Sequence, residues 1–428
     1  AGHRHTRGES WRSDSQEFEG LDFRGALKVL AERAGVELVP ENPKLKNEKD
    51  RLFEIMEEST IFFETNFSAK KEAQDYLKNR GLENKTIKEW RIGYALHSWQ
   101  SLENHLKTKK FSETEMEKAG LIKIDGGRSY DRFRDRIIFP LFDSGGRVIA
   151  FSGRILHDDG KSAKYLNSPE TELFSKSKIL YGLDKAKFAI KRLDYSIIVE
   201  GQMDLLMCHQ AGYSGAVASS GTALTISHLE MLKRLSNRVI MAFDADNAGF
   251  KASARAWQIA LSLGMEVKIA ELPKGFDPAD LILKNKDKWV SALKEAKHII
   301  DFYLDQILRE EVDERKTAIR IRNEILPFIA ALESNIEKAH YVSKICHKTG
   351  IKEEAMWDDL KKVKFTADNQ NLVSQEADNN HSRKESELQP LRKDSILRRI
   401  IGIIIWQESK EKSLINAGNA REKLKKII

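Results

Sequence analysis

Cysteine is almost missing from this chain of 428 residues. The two present, Cys208 and Cys346, occur in unrelated contexts, which excludes a disulfide framework and a cysteine-rich zinc site and fits a reducing cytosol. Each lies on an apolar helical stretch and is expected in the core. Long apolar runs are missing too. The longest, 400–406, falls far short of the roughly 20 residues a membrane helix requires. The opening AGHRHTRGES has no apolar signal core, so no secretion and no membrane association are expected, and a cytoplasmic setting is. Gly160-Lys161-Ser162 resembles the end of a phosphate-cradling loop, but position 155 is Ile where that loop needs glycine, so a fused helicase motor is not expected. No internal repeat and no thiol–imidazole or serine–histidine pairing stands out.

What is present is charge. Lys and Arg number 72 against 65 Asp and Glu, for a net charge of +7 and a pI near 9.0. That balance makes a polyanion such as nucleic acid a partner to test. Hydrophobic residues at 41% are enough to build cores, which excludes a wholly disordered chain. At about 150 residues per domain the length predicts two to four domains.

Residues 1–16 are polar and arginine-bearing and read as a flexible tail. Phe23, Ala26, Leu27, Leu30 and Ala31 then recur at helical spacing until Gly35. Further helices are predicted over 41–63 and 73–81. Strand-like runs at 121–124, 136–141 and 148–151, separated by the turn material DGG and DSGG, predict an antiparallel segment. From 196 the texture alternates: strands at 196–199, 216–218, 239–243 and 266–272, helices at 202–211, 225–236 and 247–263. That alternation predicts βαβ units around a parallel sheet. After 285 the pattern is helical to about 364, with two helices joined at Gly350. Residues 365–390 carry few large apolar groups and read as a linker, and an apolar helical piece follows over 391–428.

Three of the predicted parallel strands end in acids. Glu200 closes the first, Gly201 allows a turn, and Asp204 falls in the first turn of the next helix. Asp244 and Asp246 close the second, and Asp277 and Asp280 follow the third. Ligands of an open parallel sheet gather at these carboxyl ends. Asp244 and Asp246, two apart on an extended segment, face one side. So many converging carboxylates repel one another unless divalent cations sit between them, and an all-oxygen set suits magnesium or manganese, used as a pair. A lone Asp-x-Asp is most often a solvated turn; three such motifs in order, each after a β-branched strand, favour a metal site.

These motifs also carry a resemblance. VEGQMD at 199–204, FDADNAG at 243–249 and DPAD at 277–280 resemble the signatures of the TOPRIM domain of primases, topoisomerases and some nucleases. RFRDRIIFPLFDSGGRVIAFSGRIL at 132–156 and KYLNSPETELFSKSKILYGLDKAK at 164–187 resemble the catalytic core of bacterial DnaG-type primases, as do ASSGTALT at 218–225, YLKNRGL at 76–82, IGYA at 92–95 and EFEGLDFRGALKVLAERAGVELVP at 17–40. The resemblance covers about 17–365. It implies an α/β protein with three parts: a basic mixed α/β amino-terminal subdomain over 17–190, a TOPRIM-like parallel sheet with flanking helices over 191–285, and a helical subdomain over 286–364. Residues 391–428 would start the helical region that docks on the replicative helicase; an amphipathic terminal helix is the plainer alternative.

The resemblance implies template-directed joining of ribonucleotides into short RNA primers on single-stranded DNA, within a primosome in which single-strand-binding protein also takes part. Glu200, Asp244 and Asp246 would be the central catalytic metal ligands, with Asp204 and Asp277 beside them. Arg132, Arg134, Arg136, Arg154, Lys164, Asn167, Lys176 and Arg80 would form the basic ridge that binds nucleotide and DNA. Alternation of Arg132, Arg134 and Arg136 along an extended stretch would put all three on one face, where guanidinium forks match phosphate oxygens. The plainer alternative, a solvated strand edge that resists pairing, is the less favoured reading beside a metal site. The family usually carries an amino-terminal zinc-binding domain; no cysteine precedes Cys208 and the chain starts where that domain should be ending, so none is expected in these residues. His3 and His5 do not replace it, and no zinc is expected. Ala279 stands where the family often has the second aspartate of D-P-D, so Asp280 carries over only weakly. His340 and Tyr341 read as a helix-packing pair. Two other functions use the same acids: a TOPRIM nuclease or topoisomerase-like strand cutter, which would not need the RFR and KYLNSPE segments, and a catalytically idle nucleic-acid-binding or helicase-associated module.

Overall fold

The structure, a computed structural model, describes residues 43–157, 160, 163–219, 224–242 and 247–363, all within one compact unit that spans residues 1–365. The expected tail at 1–16, the helix beginning near Phe23, the linker at 365–390, the piece at 391–428, part of the 218–225 motif, and both Asp244 and Asp246 lie outside the described residues.

The chain runs α1 (Pro43–Ala69), α2 (Lys71–Asn79), α3 (Asn84–Glu89), β1 (Gly93–Ala95), α4 (Ser101–Thr108), α5 (Glu113–Lys118), β2 (Ile122–Asp125), β3 (Arg128–Asp131), β4 (Arg136–Phe142), β5 (Val148–Ile155) and β6 (Tyr165–Asn167). It continues through α6 (Leu183–Leu193), β7 (Ser196–Val199), α7 (Gln202–Gln210), β8 (Ala216–Ala218), α8 (Ile226–Lys233), β9 (Arg238–Met241), α9 (Asn247–Ser262) and β10 (Glu266–Ile269). The last part holds α10 (Pro278–Lys284), α11 (Lys286–Lys294), β11 (Lys297–His298), α12 (Ile299–Glu310), α13 (Glu314–Arg320), α14 (Leu326–Ala331), α15 (Asn335–Thr349) and α16 (Glu353–Lys362).

Strands β1-β4-β5-β6 form an antiparallel sheet, and β2 and β3 a hairpin around the expected DGG turn; β3 itself had no sequence signal. The second sheet has the order β11-β10-β9-β7-β8, parallel from β10 to β8 and closed by antiparallel β11. Chain order steps from β7 out to β8 and then back across to β9, so the topological switch lies between the carboxyl ends of β7 and β9, the crevice where open α/β sheets bind ligands.

Strand periodicity sorts the cores. Ile198, Val217, Met241 and Val267 face a cluster with α8, α9, α12 and the helical end of the chain. Ile197, Val199, Ala216 and Ala218 face the opposite way, onto α7 and α10 and onto Ile137, Phe139 and Leu141 of β4. Ile138 and Phe142 of β4 point instead to a third cluster under α1. Helix α7 is therefore wedged between two sheets and buried nearly all round, through Met203, Leu205, Leu206, Met207 and Cys208, as a helix enclosed on every side must be. Cys208 and Cys346 are both buried, as expected. Tyr341 stacks on His298 with ring centroids 4.9 Å apart, while His340 is exposed beside it.

Helix α1 lies directly on β1. A methyl group at Gly93 would sit 2.4 Å from Phe63 Cβ and 2.8 Å from the Phe63 carbonyl carbon, closer than packed atoms approach. Gly93→Ala is expected to cost at least about 1–3 kcal/mol, because backbone has to move to admit it. Urea unfolding checks this: the midpoint should fall with an unchanged slope, and an unchanged midpoint would contradict the close approach.

Candidate active site

The site begins with helix-start chemistry. Strand β7 delivers Glu200 to the surface, and Gly201 caps α7. Asp204, in the first turn, accepts hydrogen bonds from the Gly201 N–H at Oδ2 (3.1 Å) and from the Ala279 N–H at Oδ1 (3.1 Å). Those bonds tie the start of α7 to the start of α10. Asp277 is the N-cap of α10, accepting from the Asp280 N–H (2.6 Å), with Pro278 in the first turn. The EGxxD and DPxD spacings are thus those of two capped helices, and capping brings their acids together.

A cavity of about 230 Å³ opens where these starts meet, lined by Glu200, Asp204, Asp277 and Ala242 from the parallel-sheet part of the chain and by Arg80, Arg154, Lys164 and Tyr165 from its amino-terminal part. Ala242 is the last described residue after β9, so the cavity lies at the switch between β7 and β9. Arg80 stands 3.9 Å from Asp277 and 3.4 Å from Asp280. Arg154 donates from Nη1 to the Tyr165 hydroxyl (2.7 Å) and lies 5.2 Å from the ring centroids of both Tyr76 and Tyr165. The Nε groups of Arg80 and Arg154 are buried and unpaired, leaving donor capacity on the basic wall. Burial and the nearby Asp277 and Glu200 carboxylates hold the Asp204 carboxyl up to about 7, against the opposing pull of its two N–H donors.

The structure thus brings together Arg80, Arg154, Lys164, Glu200, Asp204 and Asp277. It does not bring in the whole ridge. The 132–136 stretch is not extended: Asp135 has φ +52°, and β4 starts only at Arg136. Arg132, Arg134 and Arg136 therefore form no single row. Arg134 lies over Trp99, 4.1 Å from the ring centroid, and donates to the Asp131 carbonyl. Arg132 donates to the Asn167 carbonyl (2.9 Å), and buried Arg136 to the carbonyls of Gly153 (3.1 Å) and Ala163 (3.0 Å). Asn167 sits on β6, and Lys176 in the short 3₁₀ turn over Lys176–Lys178; neither lines the cavity. Asp280 pairs with Arg80 and, at 4.0 Å, with Lys284 rather than facing into the site. Tyr76 and Tyr165 were missed. Tyr165 had a weak signal, lying beside Lys164 in the KYLNSPE segment. Among the described residues no three acidic, histidine or cysteine side chains close on one point, so Glu200, Asp204 and Asp277 do not by themselves make a full ligand set.

Two family models match the chain: the DNA primase catalytic core, N-terminal domain, over 62–187, and a Toprim-like domain over 197–282. A DNA primase of Clostridium acetobutylicum is 37% identical over 348 residues, covering 79% of this chain and 57% of that protein. A DNA primase of Deinococcus radiodurans is 34% identical over 421 residues, covering 95% of this chain and 72% of that protein. Among solved structures, a DnaG primase catalytic domain bound to ssDNA is 31% identical with a TM-score of 0.63, covering 72% of this chain and 99% of that one. The RNA polymerase domain of Mycobacterium tuberculosis primase is 30% identical with a TM-score of 0.63, covering 70% and 98%.

The raised Asp204 pKa links stability to pH. Its carboxyl holds a proton in the folded state up to about 7 but only to about 3.9 when unfolded. This group's contribution is undiminished below about pH 4 and is lost as pH rises towards 7, by on the order of 4 kcal/mol. Asp204→Asn removes the titration, and any lost hydrogen bond costs the same at every pH. Denaturant unfolding at pH 5 and pH 8, without divalent cations, should show wild type losing more stability over that interval than the variant. Equal losses would contradict the burial and charge crowding at Asp204.

Proposed function

The chain belongs to the DnaG family of DNA primases, and on that premise we propose that it joins ribonucleotides into short RNA primers on a single-stranded DNA template. The observation that carries the reading is one cavity at the β7–β9 switch that combines the carboxylates of Glu200, Asp204 and Asp277 with the cations of Arg80, Arg154 and Lys164. A strand cutter would use the acids but would have less need of a cationic wall from the amino-terminal sheet.

The donor set fits a divalent cation. It is all oxygen, which suits magnesium or manganese, and the acidic wall is short of positive charge, since Asp204 keeps a proton to about pH 7. Glu200, Asp204 and Asp277, with Asp244 and Asp246 completing the set, would hold the ions. The chemistry such ions would supply there is a lowered pKa for the attacking 3′-hydroxyl and compensation of negative charge at the α-phosphate and the departing pyrophosphate. The protein's own side chains do the rest. Arg154, oriented by Tyr165, and Lys164 bind triphosphate oxygens. Arg80 keeps the Asp277 and Asp280 carboxylates apart from one another's field and presents a further cation to the cavity. No side-chain proton transfer is required. A replicative helicase docking through 391–428, single-strand-binding protein on the template and a cytoplasmic setting follow from the family resemblance alone; no helix among the described residues is long and apolar enough to cross a membrane.

Incubation with labelled single-stranded DNA, ribonucleotides and manganese tests the proposal. New labelled RNA is expected from wild type, and Glu200→Gln is expected to lower incorporation at least about 100-fold while template binding, read by anisotropy, stays within about threefold. Shortened DNA would point to a nuclease, and template binding without synthesis to an idle module; either outcome contradicts the proposal.

A further inference from the structure

Helix α7 carries Asp204 at one end and is tied at both ends to the elements that supply the arginines. At its start the buried Gln202 amide donates to buried Ser152 Oγ (2.9 Å) on β5, two residues before Arg154. At its other end Gln210 closes three hydrogen bonds. Its Nε2 donates to the Gly81 carbonyl (2.8 Å), and its Oε1 accepts from the Glu83 N–H (2.8 Å) and the Thr86 hydroxyl (2.8 Å). These partners follow directly after Arg80, the residue that ends α2.

The turn they hold has little freedom of its own. Gly81 has φ +86°, and a Cβ there would lie 2.6 Å from Leu283 Cδ1 on α10 and 3.2 Å from Met207 Cε on α7. The glutamine amide donates at one terminal atom and accepts at the other, which is the combination these three partners require. Glutamate keeps the two acceptor contacts and loses the donor, and leucine loses all three.

We infer that Gln210 is a positioning residue: it fixes the turn after α2 so that the Arg80 guanidinium faces Asp277 and Asp280 and meets the substrate's phosphates in the cavity. The inference rests on the primer-synthesis reading for what the phosphates are. It makes Gln210 act through Arg80, at the far end of the helix from Asp204. A glutamine that merely stabilised the fold would matter equally with or without Arg80.

A double-mutant cycle decides this. Gln210→Leu, Arg80→Ala and the double variant are compared by KM for ribonucleotides, by kcat, by thermal melting and by metal-free pyrophosphate affinity in calorimetry. Gln210→Leu should raise KM about tenfold and change kcat less than about threefold, as expected when a binding group is displaced. In the Arg80→Ala background the same substitution should leave KM and pyrophosphate affinity unchanged. Gln210→Glu should fall between wild type and leucine, and it carries the cycle if the leucine variant does not fold. Equal losses in both backgrounds, or an unchanged KM with Arg80 present, overturn the inference. If wild type makes no primer, the primer-synthesis reading fails, and the pyrophosphate arm decides on Gln210 by the same criterion.

Discussion

Like charges at the carboxyl ends of a parallel sheet are the constraint on which this molecule depends. Glu200, Asp204 and Asp277 share one cavity, and Asp204 is pushed to a pKa of about 7 by burial and by its acidic neighbours. A protein that only had to be stable would not crowd carboxylates this way. The crowding is unfavourable electrostatics that a bound multivalent cation would relieve, and this supports the proposal that the cavity holds divalent cations beside substrate phosphates.

Packing holds this arrangement against its own repulsion. Two helix starts supply Asp204 and Asp277, and both take part in capping: Asp204 ties Gly201 to Ala279, and Asp277 opens α10. Helix α7 is enclosed between the parallel sheet and β4, so it cannot shift to separate the charges. The basic wall arrives from outside the TOPRIM-like part, Arg80 from the end of α2 and Arg154 and Lys164 from β5 and the segment leading into β6. Neither sheet alone makes the cavity. It exists only because both contribute to one buried cluster.

Much of this was legible in the residues. EGQMD and DPAD could be placed because a strand end, a glycine or proline and an acid at fixed spacing are helix-start chemistry, which is local. The strands at 196–199 and 216–218 matched their β-branched or small apolar runs, and the parallel sheet followed from alternation with helices. The arginine row was not legible. Its alternation presupposes an extended backbone, and the left-handed Asp135 interrupts it, sending Arg134 onto Trp99 while Arg136 serves buried carbonyls. Gln210 had no signal at all, because a glutamine at a helix end is ordinary until the partners 124 to 129 positions away are known. Long-range hydrogen bonds of that kind leave no periodicity to read.

The central claim is that the acids of this cavity share divalent cations beside the cationic wall. Anomalous diffraction from crystals soaked in manganese measures it most directly. The account predicts manganese density in the cavity, against Glu200 and the carboxylates of Asp244 or Asp246, on the side facing Arg154 and Lys164. Manganese found only on exposed surface acids, with the cavity empty at saturating concentration, would contradict it.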